Sequence, residues 1–396
     1  MALLNDRSIP ALRFQFGVVV AAIVLTCWPA PAGVGPDSPS EAEAAASRPS
    51  GSTFGYTSRL WQTDEGLPNN YVRAVVQTPD GYLWVGTSAG LARFDGLRFT
   101  CFNHRNAPAM ESADISDLCV DPQGTLWISS FGGGLLRLRD GTFTHFGTTN
   151  GLASDELSAL CAGRDGSLWI GSTTGVIRYK DNRFTSYTRK DGLLSHVVRA
   201  ICEDRSGSVW IATAEGLNRL DGGAFKAYTH ADGLPDNSIR GLWADRSGRI
   251  WIGSDNGMTC YDQGKLTAYG KGEGLAGGFV QTFWEDSRGD LWVGAYGGIY
   301  RFQEGRFIPQ LNAEGVPFDT VNALFEDGEG DVWAGSREGL IRFTPRRFFT
   351  YTRRQGPYPR QHHVGLGRPG HQRMDRHLGG RPQPADGRDG QSVHDA

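Results

Sequence analysis

The sequence is short of most features that mark a specialised chemistry. Its charge is almost balanced, with 40 Lys and Arg against 43 Asp and Glu in 396 residues. No concentrated basic face follows from that balance, and phosphate recognition needs one, so nucleic acid is not an expected partner. Cysteine is sparse, at six. Cys119, Cys161 and Cys202 each stand eight residues before a tryptophan, and Cys101 and Cys260 are isolated. That spacing is neither a disulfide framework nor a metal motif, so no cofactor and no metal ligand is expected. Long apolar runs are nearly absent too. The longest, Phe14 to Trp28, follows Arg7 and Arg13 and precedes Ala30-Pro31-Ala32. It is short for a membrane span and has the layout of a secretory signal, assigned to residues 1–32, with an uncleaved anchor as the alternative. Residues 33–53, rich in Pro, Ala, Ser and Glu, read as a flexible linker.

Glycine and the aromatics are abundant instead, with 55 Gly, 11 Trp and 20 Phe. Seven of the tryptophans, Trp84, Trp127, Trp169, Trp210, Trp251, Trp292 and Trp333, are spaced by 43, 42 and then 41 residues throughout. A period of this size over seven copies signals stacked supersecondary units. Each copy reads alike. In the fourth, an apolar stretch (198–202) is followed by the turn Asp204-Arg205-Ser206-Gly207. A Trp strand (209–213), a Gly-Leu strand (216–220) and an aromatic strand (225–228) come next, and Gly233-Leu234 leads onward. Four short strands with no helical stretch between them make a propeller blade.

Asp-x-x-Gly suits a tight hairpin, because the carboxylate bonds nearby backbone and glycine tolerates positive φ. The tryptophan offers a large apolar surface to the adjacent blade. Cys119, Cys161 and Cys202 share their slot with Val76, Trp243, Trp284 and Phe325, which reads as an apolar core position filled by a small hydrophobe. Trp61 stands five residues before Gly66-Leu67, as Tyr187 and Tyr228 stand before their own Gly-Leu pairs. Residues 57–63 are therefore expected to supply the outer strand of the last blade and close the ring. The expected fold is all-β: a seven-bladed propeller of four-stranded antiparallel blades over residues 54–352.

The segment DGYLWVGTSAGLARFDGLRF (80–99), its copies, and the preceding DEGLPNNYVRAV (64–75) resemble the two-component regulator propeller repeat family. The resemblance implies a periplasmic, non-catalytic ligand-binding input domain of a bacterial receptor. The intact receptor would carry a second propeller and a membrane-linked histidine kinase or diguanylate cyclase output, and many relatives respond to saccharides. A small molecule or oligosaccharide is the implied ligand. The chain shows no kinase nucleotide loop, no phosphoacceptor helix and no second membrane span, which departs from such receptors.

After Thr352 the composition turns to Arg, His, Gly and Pro without strand pattern. One reading of 353–396 is a disordered tail. Another is a change of reading frame near residues 353–361, because Met374-Asp375 conceals a tryptophan codon 41 residues after Trp333 and an eighth repeat emerges in phase. Under that expectation the chain is truncated ahead of its membrane and output domains.

Catalytic constellations are weak. The pairs Glu203-Asp204, Glu285-Asp286 and Glu326-Asp327 recur at one place in the repeat, which fits turns better than the acid and base of a glycosidase. The stretch 131–138 is glycine-rich but lacks the lysine of a phosphate loop. A propeller polysaccharide lyase or hydrolase stays an alternative, as does a protein-binding scaffold. One position varies in an informative way. Eleven residues before each repeat tryptophan stand Arg73, Ser116, Ser158, Arg199, Arg240, Gln281 and Asn322. At the start of the innermost strands they would ring the mouth of a central channel. The three arginines suit an anion or carboxylate, against the plainer alternative of a solvated entrance.

Overall fold

The structure is a computed structural model that describes residues 55–312 and 315–346. The signal at 1–32, the linker at 33–53 and the tail at 353–396 lie outside the described residues.

Strand follows strand along the described chain, interrupted only by single-turn 3-10 helices and loops. They form seven four-stranded antiparallel sheets. Six blades are contiguous in sequence, at 72–102, 115–146, 157–187, 198–228, 239–269 and 280–310. The seventh combines 321–345 with Tyr56–Trp61, which pairs antiparallel with Leu340–Pro345 from Tyr56↔Pro345 to Trp61↔Leu340. The ring is thus closed by the first strand, as the Trp61 spacing predicts. Trp61 packs at 5.4 Å from Trp333 of its own blade and 5.6 Å from Phe94 of blade 1.

The second strand of each blade, which carries the repeat tryptophan, is buried along its whole length in all seven copies. The sheets stack face to face around the axis, so both faces of this strand meet a neighbour and alternation disappears. Outer strands alternate instead, as in Phe225 half-buried between exposed Ala224 and Lys226. Each blade-to-blade interface has its own apolar cluster. Blades 4 and 5, for example, share Trp210, Leu217, Tyr228, Ile239, Ile250 and Ile252.

The acidic side chains of the repeat have two structural tasks. Asp204 Oδ1 accepts the backbone N–H of Ser206 and Ser208, and its Oδ2 accepts the indole N–H of Trp210 at 2.8 Å. The same Trp-to-Asp bond recurs at Trp127, Trp251, Trp292 and Trp333, and Thr78 substitutes for the aspartate at Trp84. The preceding glutamates reach the neighbouring blade. Glu203, Glu285 and Glu326 accept the backbone N–H of Arg164, Arg246 and Ser287. These carboxylate pairs anchor turns and lace blades together.

The Gly-Leu linkers have an equally plain role. Gly192 and Gly233 end a 3-10 turn in the left-handed region, at φ 107° and 105°, where a side chain is strained. The leucines that follow, Leu193 and Leu234, are buried.

Candidate functional site at the channel mouth

The inner strands run side by side around a central cavity of about 850 Å³, lined by residues of every blade. At the end where these strands begin, one backbone bond repeats in all seven blades. The N–H four residues after the repeat tryptophan donates to the carbonyl thirteen residues before it. The pairs are Ser88–Tyr71, Phe131–Asp114, Thr173–Glu156, Ala214–Val197, Asp255–Ser238, Tyr296–Phe279 and Arg337–Thr320. This bond brings two loop positions beside the start of each inner strand; among them Tyr71 and Phe131 line the cavity, while Thr320 is buried.

All seven residues of the predicted ring line this cavity. They sit at a register irregularity that recurs at the same step of every inner strand, such as Val198/Ala200 around Arg199. A bulge re-aims the side chain it carries. Three of the ring residues are used by the fold. Ser116, Ser158 and Asn322 donate to the carbonyls of Leu157, Val198 and Val72 at 2.7, 2.8 and 3.0 Å, each at the head of the next blade's inner strand. Two arginines are ion-paired, Arg73 with Asp114 at 2.8 Å and Arg240 with Asp255. Arg199 donates to the Ser238 hydroxyl at 2.7 Å and has no carboxylate within ion-pair distance among the described residues. Its half-burial and the neighbouring Arg240 lower its pKa. Gln281 has no side-chain hydrogen bond among the described residues.

Sequence reasoning missed the two loop positions. They bring Tyr71, Phe131, Phe279, Tyr296 and Arg337 to the same end. Phe131 and Tyr296 are half exposed, at 50% and 52%. Arg240 stacks over Phe279 at 4.2 Å and Arg73 over Tyr71 at 5.1 Å. Phe279 and Tyr296 are in ring contact at 5.6 Å. The signal was present in the aligned repeats, where the position four after each tryptophan reads Ser, Phe, Thr, Ala, Asp, Tyr and Arg.

Deeper in the channel the slot eight residues before each tryptophan is only partly a core slot. Val76, Cys119, Cys161, Cys202, Trp243, Trp284 and Phe325 all line the cavity, and each also packs against the next blade. The expected core position is therefore a channel wall on its inner side. Desolvation pushes the three cysteine thiols well above their usual range, so they are inert as nucleophiles near neutral pH. Two acids line the wall, Asp117 and Glu203. Asp117 stands where blades 1, 3, 4 and 7 have Ala74, Ala159, Ala200 and Ala323. Its two oxygens accept the N–H of Leu118 and Leu160, both at 2.8 Å, and burial pushes its pKa up to about 6. Among the described residues no cluster of His, Cys, Asp and Glu has the geometry of a metal site.

The family model described as two component regulator propeller matches residues 66–89, 110–132 and 192–215. No curated protein matches the chain. Among solved structures, the chain is similar to the extracellular domain of the hybrid two component system BT3049 from B. thetaiotaomicron. That match has 21% identity and a TM-score of 0.65 over 73% of this chain and 42% of that one. It is similar to the extracellular domain of BT4673 from the same organism at 18% identity and a TM-score of 0.60, over 73% and 39% of the two chains. It is also similar to a streptogramin B lyase at 15% identity and a TM-score of 0.61, over 74% and 98%. These identities show a shared propeller fold. The chain spans about two fifths of the length of the two extracellular domains.

Proposed function

We propose that this chain, which carries two-component regulator propeller repeats, is the exported ligand-binding input domain of a bacterial receptor, and that it does no chemistry of its own. One observation carries the reading. The repeat is nearly uniform in its buried second strands and tight turns, yet the ring position and the two loop positions of each blade differ from copy to copy, and the repeated backbone bond gathers them at one end of the ring. Symmetry is broken where a ligand would be met. The likeness of fold to the extracellular domains of BT3049 and BT4673 supports it. The family's receptors place such propellers outside the cytoplasm, and the predicted signal at 1–32 agrees with a periplasmic location. No helix among the described residues is long and apolar enough to cross a membrane.

The ligand class supported by the mouth is a small anionic or sugar-like molecule, held by arginines and exposed aromatic rings. Binding signals only if it favours one arrangement of the propeller relative to the second propeller and the kinase or cyclase of the intact receptor. A lyase or hydrolase reading needs a free base at the cavity, and the two acids that line it are engaged, Asp117 by the N–H of Leu118 and Leu160 and Glu203 by that of Arg164.

The test is a panel of oligosaccharides and organic acids screened by thermal shift against the purified chain and the triple variant Arg73→Gln, Arg199→Gln, Arg240→Gln. A ligand that raises Tm for the parent chain and not for the variant is expected. Unchanged binding by the variant removes the mouth as the site. A partner protein pulled from periplasmic extract, with no hit in the panel, favours the scaffold reading. Sequencing genomic DNA across codons 345–396 and beyond tests truncation, since a one-base shift restoring repeats, a membrane span and an output domain is expected.

A further inference from the structure

The channel wall is not equivalent around its circumference. In blades 5, 6 and 7 the slot eight before the tryptophan holds Trp243, Trp284 and Phe325, in continuous ring contact at 4.8 and 5.1 Å. In blades 1 to 4 the same slot holds Val76, Cys119, Cys161 and Cys202. The aromatic arc therefore occupies one side of the cavity. Among the described residues the indole N–H groups of Trp243 and Trp284 are buried without an acceptor, although five repeat tryptophans donate to an aspartate and Trp84 donates to Thr78.

Arg240 heads the blade 5 strand that carries Trp243, and Arg199 stands beside it on blade 4, whose own slot holds Cys202. Arg240 and Trp243 share one inner strand and are three residues apart, which is about 10 Å at the strand rise. Arg240 is balanced by Asp255, and Arg199 is held by a hydroxyl alone. A half-buried guanidinium with no ion-pair partner among the described residues, on which Asp255 and Asp236 act only from a distance, is a ready donor to a carboxylate. Asp117, on the blade 2 side of the wall, does not compete for it, because both of its oxygens are already taken by backbone N–H groups.

We propose that the central channel binds an amphipathic organic carboxylate about 10 Å long, with its carboxylate on Arg199, beside the paired Arg240, and a flat apolar body against Trp243, Trp284 and Phe325. The inference rests on the reading above that ligand enters at the mouth, and it names what the channel beneath the mouth selects. Charge fixes one end, the aromatic arc fixes the other, and the separation between them sets the length.

Calorimetric titration of the purified chain with 4-phenylbutyrate and with its uncharged analogue 4-phenylbutan-1-ol tests this. The acid should bind with a Kd below about 1 mM and at least about tenfold more tightly than the alcohol, the worth of one charge-assisted contact. Two variants separate the ends of the site. Arg199→Gln places the residue that blade 6 carries natively as Gln281, so folding is expected to survive, and it should erase the preference for the acid. Trp284→Val places the residue blade 1 has as Val76, and it should weaken acid and alcohol alike. Equal binding of acid and alcohol to the parent chain overturns the proposal. So does a preference that survives Arg199→Gln, or no heat from the acid up to about 5 mM. An oligosaccharide that binds the mouth while 4-phenylbutyrate gives no heat sinks the channel proposal alone. Channel binding that leaves kinase or cyclase output unchanged in the restored receptor sinks the sensor reading alone.

Discussion

Asp117 gives the sharpest quantitative expectation. Its carboxyl is raised from the ordinary 3.8 to about 6 by burial, which its two backbone N–H donors offset only in part. Between those two values the folded chain holds a proton that the unfolded chain has lost. Stability contributed by this group therefore falls as pH rises through that window, and the cost is complete above pH 6. At 1.36 kcal/mol per unit, a shift of this size costs at most about 3 kcal/mol, of which about 2 kcal/mol develops between pH 4.5 and 8. Asp117→Ala installs the side chain that four other blades carry at this position, so it fits the wall. It also removes two hydrogen bonds, a loss of about 1 kcal/mol each that does not depend on pH. Urea unfolding of parent and variant at pH 4.5 and at pH 8 separates the two effects. The variant should gain about 2 kcal/mol relative to the parent on going from the lower pH to the higher. Other carboxylates, such as Asp165 and Asp204, are held below their usual range and act in the opposite direction, but they cancel in the difference. Parallel stability curves would refute the assignment of a raised carboxyl at Asp117.

Two further outcomes follow from the fold. Trp61→Ala removes the ring that joins the closing strand to Trp333 and Phe94, and it should cost about 3–5 kcal/mol by thermal or urea unfolding. A loss below about 1 kcal/mol would mean that closure does not depend on this contact. Asp286→Ala strands the indole N–H of Trp292 and the turn N–H groups of Arg288 and Asp290. About 3 kcal/mol of destabilisation is expected in urea, together with a shift in tryptophan emission.

Much of this architecture is local in origin, and so is legible residue by residue. The 41-residue spacing fixes the number of blades, because each copy carries its own turn, its own buried strand and its own left-handed glycine. Even ring closure is visible, since Trp61 keeps its distance from Gly66-Leu67. Of the paired carboxylates, Asp204, Asp286 and Asp327 head turns as expected, whereas Glu203, Glu285 and Glu326 end inner strands. Their second task, reaching the preceding blade's turn, was not visible, because that contact spans 39 residues and depends on how neighbouring sheets stack.

The mouth was legible only in part. Alignment of the copies identified Arg73, Ser116, Ser158, Arg199, Arg240, Gln281 and Asn322 as one equivalent set. It could not show that Ser116, Ser158 and Asn322 are spent on the next blade, or that Asp114 and Asp255 pair with Arg73 and Arg240. Those partners come from loops that a repeated backbone bond folds onto the strand head. Phe131 and Tyr296 were hidden for the same reason. The slot of Cys119 and Trp243 looked like core because the residues are apolar. Only the closed ring reveals that one side of it faces a cavity. Sequence alone determined the repeat, the strands, the turns and the order in which blades close, since each depends on short-range chemistry written into every copy. Tertiary structure decided which polar groups neutralise one another, which aromatics stay exposed and which wall of the channel is aromatic, because these depend on distances between blades that no single copy contains.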